Sequence, residues 1–253
     1  MARQAKRPLD GKVAIVTGAA RNIGRAIAIA LAEDGCAGVV INGRSARSEA
    51  EKVAAEVEAV GARALVYIGD VSKEDVVKRM IAAAVRKFRR IDIVVNNASV
   101  RPSCAVADMS FADWRKVMSI NLDGPFLCAK YSLPHIAKNQ DGRIINIGGA
   151  SGHLGAKNRA HVVTSKAALV GLSKALAHEY GDKGVTVNVV SPGRIETVRP
   201  TSAGVQPTLE HGPLVGRRGV PNDIAGMVRF LCRPDSGFIT GQTLHVNGGI
   251  YLP

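Results

Sequence analysis

The chain has little cysteine and no long apolar run. Its cysteines are widely separated and show neither a CxxC pair nor Cys/His ligand spacing, which excludes a disulfide framework and a zinc site of the usual kinds; they are Cys36, Cys104, Cys128 and Cys232. No stretch holds 18 consecutive apolar residues, and the basic N-terminus lacks the apolar core of a signal peptide. We therefore expect a soluble, cytoplasmic protein with no metal site and no membrane partner.

Aromatic residues and negative charges are also scarce. Phe, Trp and Tyr make up 4% of the chain, and 34 Lys and Arg outnumber 21 Asp and Glu, which gives a net charge of +13. Nucleic-acid binding needs clustered cations, and aromatic side chains if bases are to stack. Apart from the run at residues 86–90 the cations are dispersed. We expect no nucleic-acid partner, and a solvated basic surface that favours anionic small molecules.

Short apolar runs alternate with stretches of helical periodicity along the whole chain. Apolar runs of this length, bounded by glycine or by helices, are typical of strands buried on both faces of a parallel sheet. The predicted strands are residues 12–16, 39–41, 64–68, 91–95, 143–147, 186–190 and 243–246, and the predicted early helices start at Ile23 and span about residues 46–60 and 73–88. The fold class is therefore α/β, a doubly wound Rossmann fold with a parallel sheet.

The length of 253 residues fits one domain over residues 1–253. We expect residues 1–9 to be flexible, because they are polar and basic. A second irregular stretch, residues 194–219, is rich in Gly, Pro, Thr and Ser. Its place after the sixth strand predicts a loop that covers the substrate.

A glycine-containing turn joins the first strand to the first helix. The turn runs from Thr17 to Gly24 and places Gly18, Arg21, Asn22, Ile23 and Gly24 at the amino end of a helix. Backbone N–H groups at that position bind phosphate, so these residues are candidates for a dinucleotide pyrophosphate site. Asn22 stands where the pattern has a glycine, and asparagine tolerates left-handed backbone angles.

The end of the second strand indicates which dinucleotide binds. An acidic residue there would bind the ribose 2′-hydroxyl of NAD, but the sequence has Arg44 and Ser45 instead. Arg44, together with Arg21, offers guanidinium groups to a 2′-phosphate. We therefore expect NADP(H), with NAD(H) the less favoured cofactor.

Four further segments match a family pattern. In chain order they are Asp70-Val71, Asn96-Asn97-Ala98-Ser99, Ser119 to Gly124, and Pro192 to Thr197. With the glycine turn and Lys166, they make almost the whole chain resemble the short-chain dehydrogenase/reductase family, and 3-oxoacyl-carrier-protein reductases within it. The resemblance implies that Asp70 and Val71 line the adenine, that Asn97 and Ala98 flank the ribose, and that the stretch Pro192, Gly193, Ile195 and Thr197 reaches the nicotinamide. It implies that Lys166 binds the ribose and that Asn121 belongs to the catalytic set. It also implies a homotetramer, or a homodimer.

Two hydroxyl groups that the family pattern requires are missing. The pattern has a tyrosine four residues before the lysine and a serine thirteen residues before that tyrosine; here Val162 and Gly149 occupy these positions. Valine has no proton to transfer and glycine has no side chain to stabilise an oxyanion. His161 is the candidate proton carrier, although one residue of helix rotation turns it about 100° from the tyrosine direction.

Other side chains in the same segments are candidates for binding a substrate carboxylate or phosphate, namely His153, Arg159 and Arg101. Ser151 replaces the missing serine only if the backbone shifts. The main interpretation is an NADP(H)-dependent oxidoreductase acting on a carbonyl or alcohol, with an anionic substrate as one option. Two alternatives remain, a catalytically silent NADP(H)-binding protein that acts as a sensor or as partner of an active paralogue, and an enzyme whose reaction needs no tyrosine.

Overall fold

A computed structural model describes residues 7–198 and 212–253 of the chain. Its seven strands form one sheet in the order β3-β2-β1-β4-β5-β6-β7, and every pair of neighbours is parallel. The strands are β1 Val13–Val16, β2 Gly38–Gly43, β3 Arg63–Ile68, β4 Ile93–Asn96, β5 Gly142–Ile147, β6 Val185–Pro192 and β7 Thr243–Val246. The order reverses direction between β1 and β4, which in such sheets marks the ligand crevice.

Helices cover both faces of the sheet. They are α1 Asn22–Glu33, α2 Arg47–Ala59, α3 Glu74–Phe88, α4 Phe111–Met118, α5 Gly124–Ile136, α6 Ser151–Leu154, α7 Ala160–Tyr180 and α8 Pro221–Cys232. One core lies where α1, α2 and α8 cover the sheet, and the other lies where α3, α5 and α7 cover it. Because side chains alternate between the two faces, β1, β2, β4, β5 and β6 are buried throughout.

The predicted fold is confirmed, and each predicted strand lies within two residues of its observed bounds. No helix of the described residues is both long enough and apolar enough to span a membrane.

The last residue but one of the described N-terminal stretch before Gly11 is anchored in the core, in contrast to the prediction that residues 1–9 are flexible. Leu9 belongs to the stretch that we expect to be flexible, yet its side chain is fully buried in the core and its N–H donates to the Asp34 carbonyl at 2.9 Å. The reason is that an apolar side chain at this point can fill the space beside α1. Residues 1–6 lie outside the described residues, as do residues 199–211 of the predicted substrate loop.

Candidate functional site

The turn after β1 has the tight backbone that a phosphate-binding turn needs. Gly18 has φ of +61° and Asn22 has φ of +52°, so Asn22 does occupy the left-handed region. A β-carbon on Gly24 would collide with the Gly18 carbonyl oxygen, and one on Gly18 would lie 2.9 Å from the Ala98 Cα. Only glycine fits at these two positions, and the chain therefore forms a close cradle beside the N-terminus of α1.

The end of β4 is tied to the same turn by side-chain hydrogen bonds. Asn97 Nδ2 donates to the carbonyl oxygens of Thr17 at 2.9 Å and Gly18 at 3.0 Å. The N–H groups of Asn97 and Ala98 both donate to the Thr17 hydroxyl at 3.0 Å. The structure thus places the predicted ribose-flanking residues against the predicted pyrophosphate turn.

A groove of about 340 Å³ opens beside the ends of β2 and β3. Its lining is mostly polar and includes four cations: Arg44, Asp70, Ser72, Lys73, Ala112, Arg115, Lys116, Ser119 and Ile120. Arg44 and Asp70 are predicted cofactor residues, whereas Lys73, Arg115 and Lys116 are cations that the sequence reasoning missed. The last two lie on α4, and nothing local in the sequence indicates that α4 faces the end of β2.

The remaining predicted residues on this side flank the groove and the turn. Ser45 and Arg21 are exposed, while Ile23 is partly buried against the core. Val71 is buried, and its Cγ2 lies 3.0 Å from the position that a β-carbon on Gly124 would occupy.

Asn121 lies in a π-helical turn, Ser119–Asp123, between α4 and α5. Its side chain is fully buried and joins two parts of the site. Nδ2 donates to the Val100 carbonyl at 3.0 Å and to Ser165 Oγ at 3.1 Å, and Oδ1 accepts the Val100 N–H at 2.9 Å. Asn121 thereby fixes the chain after β4 to α7, the helix that carries Lys166. A π turn inside a helix often marks a functional site.

Lys166 is a buried cation at the centre of the candidate active site. Its side chain is 6% exposed, and Nζ donates to the Ile147 carbonyl at 2.7 Å. Burial, with the charge of Arg101 adding to it, lowers the pKa of Lys166 to about 7. An amine of this kind exchanges a proton near neutral pH.

The positions of the two missing hydroxyl groups differ in the space around them. A β-carbon on Gly149 would meet only Ser151 Oγ, at 3.8 Å, so there is room for a side chain there. The Ser151 hydroxyl therefore already lies beside the vacant serine position. Val162, by contrast, is 2% exposed and packed within the protein.

His161, the predicted proton carrier, is completely buried. Among the described residues, neither Nδ1 nor Nε2 makes a hydrogen bond of good geometry, although the backbone of Arg159 raises the pKa of the ring against the effect of burial. Burial lowers the pKa of this histidine and so disfavours its protonated form. A buried polar side chain without partners costs free energy in the folded state.

We expect His161→Leu to raise the free energy of unfolding by ~1 kcal/mol at pH 8, because the unpaired ring nitrogens are removed without leaving a large cavity. The gain should increase on acidification. The folded-state pKa of His161 is depressed, so the wild type loses stability as the pH falls below the unfolded value of about 6.5, and the variant lacks that loss. Urea unfolding between pH 8 and pH 5 measures both effects.

His178→Leu, on an exposed position of the same helix, is the matched control. A destabilised His161→Leu would contradict the expectation.

His153 packs against two rings that the sequence reasoning missed. Its ring centroid lies 4.6 Å from that of His245 on β7 and 5.4 Å from that of Tyr251. Since these residues are some 90–100 positions apart in the chain, no sequence spacing could have linked them. Burial lowers the pKa of both His153 and His245.

Arg159 contacts the backbone of Arg101, and Arg101 lies near Lys166. Arg159 is 5% exposed, and its Nη1 donates to the Arg101 carbonyl at 2.7 Å. The Arg101 charge is close enough to Lys166 to lower the pKa of its amine. Two of the predicted anion-binding residues are therefore brought together at the amino end of α7.

The chain after β6 crosses the same edge of the sheet. Pro192 is buried, and Gly193 passes so close to Asn247 that a β-carbon there would lie 2.7 Å from the Asn247 Cα. Ile195 pairs with Gly219 in a parallel bridge, and the Glu196 N–H donates to the Gly219 carbonyl at 2.8 Å. Thr197 follows and is partly exposed.

Comparison with known proteins gives close and full-length matches. The sequence model of a family described as enoyl-(acyl carrier protein) reductase matches residues 18–251. A 3-oxoacyl-[acyl-carrier-protein] reductase of Synechocystis is 40% identical over 245 residues, covering 96% of this chain and 98% of that protein. A 3-oxoacyl-[acyl-carrier-protein] reductase of Staphylococcus epidermidis is 38% identical, covering 95% of this chain and 99% of that protein.

Solved structures agree with these relatives. A dehydrogenase/reductase from Sinorhizobium meliloti superposes with a TM-score of 0.87 at 34% identity, covering 96% of both chains. A doubly substituted short-chain dehydrogenase/reductase from Serratia marcescens also gives 0.87, at 33% identity, and covers 96% of this chain and 99% of that one. The chain therefore belongs to the short-chain dehydrogenase/reductase family.

Proposed function

We propose that the protein is an NADP(H)-dependent oxidoreductase that acts on a carbonyl or alcohol and transfers the proton without a tyrosine. The observation that carries this proposal is Lys166, whose buried amine is held at the Ile147 carbonyl beside the cofactor cradle although position 162 has no hydroxyl. The phosphate-binding turn, Asn121 and Lys166 are all present. Two positions of this site depart from the family pattern, Val162 and Gly149.

The cradle fits a dinucleotide, because its glycines leave no space for a β-carbon and its helix N-terminus favours a phosphate. The residues proposed to hold the cofactor follow the turn, the groove and the end of β6: Gly18, Arg21, Asn22, Ile23, Gly24, Arg44, Ser45, Asp70, Val71, Asn97, Ala98, Lys166, Pro192, Gly193, Ile195 and Thr197. When bound, the nicotinamide supplies or accepts the hydride.

NADP(H) is favoured over NAD(H) by the charges around the groove. Arg44 lies in the groove with three further cations and a single carboxylate, Asp70. Such a setting attracts the additional phosphate of NADP(H). Arg21 lies on the adjoining turn and adds a second guanidinium group.

Lys166 is the better candidate for the proton carrier, and His161 is the alternative. Carbonyl reduction needs a group that is protonated near neutral pH. Lys166 satisfies this with a pKa of about 7, whereas burial lowers the pKa of His161 and disfavours its protonated form. Lys166 also lies one helical turn after position 162 on the same face of α7, because four residues correspond to about one turn. Asn121 positions α7 through Ser165.

Ser151 is proposed to replace the missing serine as the hydrogen-bond donor to the substrate oxygen. Its hydroxyl lies 3.8 Å from the position that a β-carbon on Gly149 would occupy, which supports this proposal. Arg101 and Arg159 are proposed to bind a carboxylate or phosphate on the substrate, since Arg101 lies near Lys166, Arg159 contacts the Arg101 backbone, and both carry permanent charge. We therefore propose an anionic substrate.

Activity should follow the ionisation of Lys166. For carbonyl reduction, kcat should fall as the pH rises through about 7, since the protonated amine is the acid form. Lys166→Arg should abolish this fall of kcat with pH, because a guanidinium group stays protonated up to about pH 12. Lys174→Arg, at an exposed position of the same helix, is the matched control.

His161→Gln distinguishes the two candidates in the same experiment. If Lys166 carries the proton, kcat of His161→Gln still falls as the pH rises through about 7, and kcat of Lys166→Arg does not. If this pH dependence disappears in His161→Gln and not in Lys166→Arg, His161 is the proton carrier and the assignment to Lys166 is wrong.

The alternative, a silent NADP(H)-binding protein, is favoured by the same two substitutions, Gly149 and Val162. Fluorescence titration with NADPH measures binding, and turnover on a panel of aldehydes, diketones and oxoacyl thioesters, some of them with a carboxylate, measures chemistry. Tight binding without turnover on any member would favour the silent protein. Absence of binding would overturn both proposals.

A homotetramer, or a homodimer, is the proposed assembly. Large apolar side chains are exposed at Phe111 and Phe126, on α4 and α5, and at Phe238 and Leu252, before and after β7. Exposed apolar side chains become buried where copies of a chain associate. Sedimentation equilibrium would determine the number of copies.

A further inference from the structure

The side chain of Asn22 links the phosphate-binding turn to the chain that leaves β6. Its Nδ2 donates to the Val198 carbonyl at 3.0 Å, and its Oδ1 accepts the Val198 N–H at 3.1 Å. One carboxamide therefore satisfies both backbone groups of one residue, as a neighbouring strand would do. The pair of bonds forms only when Val198 lies directly against the turn.

Val198 marks the end of a short segment that is fixed at two points. On one side the bridge between Ile195 and Gly219 holds the segment, with the Glu196 N–H donating to the Gly219 carbonyl. On the other side Asn22 holds Val198. Thr197 lies between the two points, so its backbone position depends on both.

The asparagine combines two properties at this position. Its φ of +52° is the conformation that the turn requires, and glycine would adopt it with less strain. Glycine has no side chain to reach Val198, however. The substitution at position 22 is therefore the feature that creates the link between the two walls of the crevice.

We propose that Asn22 is a positioning residue that holds Val198 and Thr197 against the phosphate-binding turn and thereby slows the release of the dinucleotide. The inference rests on the proposed function for the identity of the ligand. On this proposal, separation of the two walls precedes release of a pyrophosphate from the turn, and the paired hydrogen bonds oppose that separation. Asn22 makes this contribution through another residue rather than by chemistry on the substrate.

The first test needs no cofactor. Hydrogen exchange at the Val198 amide, measured by mass spectrometry in the cofactor-free protein, should be about tenfold faster in Asn22→Gly, the factor that corresponds to ~1.4 kcal/mol for two exposed hydrogen bonds. Asn22→Asp keeps the acceptor and should retain most of the protection of that amide. Asn158→Gly is the matched control, because Asn158 is exposed and also has a positive φ, +59°, but lies on a different loop. Unchanged exchange in Asn22→Gly would overturn the link.

The second test measures the release rate of NADPH by stopped-flow fluorescence, with excess NADP as the competitor. Release should be about tenfold faster in Asn22→Gly and unchanged in Asn158→Gly. Faster exchange at Val198 with an unchanged release rate would show that the link does not retain the cofactor, and would overturn the proposal. If the wild type binds neither NADPH nor NADH, the proposed function fails and retention fails with it, while the exchange result still reports the link.

Discussion

The double variant Gly149→Ser/Val162→Tyr is expected to gain ~10²-fold in turnover of small activated diketones over the wild type, because an acid and its neighbouring donor act as a unit. The residues that would surround the new tyrosine and serine are already present. Lys166 lies one turn beyond position 162, Asn121 fixes α7, and the space at Gly149 holds only Ser151 Oγ within 4 Å. Steady-state kinetics with NADPH measures the gain.

Two comparisons make this experiment specific. Each single variant should gain far less than the pair. The variant Gly149→Ser/Val163→Tyr places the same phenol about 100° around the helix and should gain nothing. Tyrosine at the buried position 162 risks overpacking of ~1–3 kcal/mol, so a thermal melt must first show a folded protein. A folded double variant that binds NADPH and has no turnover would show that the substrate pocket itself has diverged.

Arg44→Asp is expected to reverse the cofactor preference. The wild type should bind NADPH ten- to a hundredfold more tightly than NADH, since charge-assisted hydrogen bonds to a phosphate are worth ~1.5–3 kcal/mol. In the variant, a carboxylate repels the 2′-phosphate and accepts from the 2′-hydroxyl of NADH. Fluorescence titration of both cofactors gives the two dissociation constants.

The control for charge alone is Arg47→Asp. Arg47 is an exposed residue of α2, three positions further on, and lies 3.6 Å from Glu51 rather than in the groove. The same change of net charge there should leave the ratio of dissociation constants almost unchanged. Equal dissociation constants for NADPH and NADH in the wild type would refute the proposed basis of selectivity.

The sequence predicted the sheet because local patterns determine it. Each strand is a short apolar run between helices or glycines, and the turn from Thr17 to Gly24 is continuous in the chain. The position of Asn121 was predicted from its motif, but its hydrogen bonds to Val100 and Ser165 depend on packing between α7 and the chain after β4. Likewise, the burial that lowers the pKa of Lys166 is a property of the folded protein.

Two features of the candidate site escaped prediction for a different reason. The contacts of Asn22 with Val198, and of His153 with His245 and Tyr251, join residues far apart in the chain. Single-sequence reasoning has no signal for such pairs. The role of Ser151 stays a prediction. Counting positions could not show that its hydroxyl, on the short helix α6, lies close to Gly149.

The order of the strands also bears on how the chain folds. The central strand β1 pairs on one side with β4, and Ala14 lies opposite Ile93, so about 80 residues separate the two partners. Contacts of such long range must overcome a large loop-closure entropy, which makes parallel sheets slow to form. A nascent chain that ends before Ile93 has an apolar strand with one open edge, and open edges of this kind recruit other chains. Refolding at low protein concentration should therefore give the higher yield.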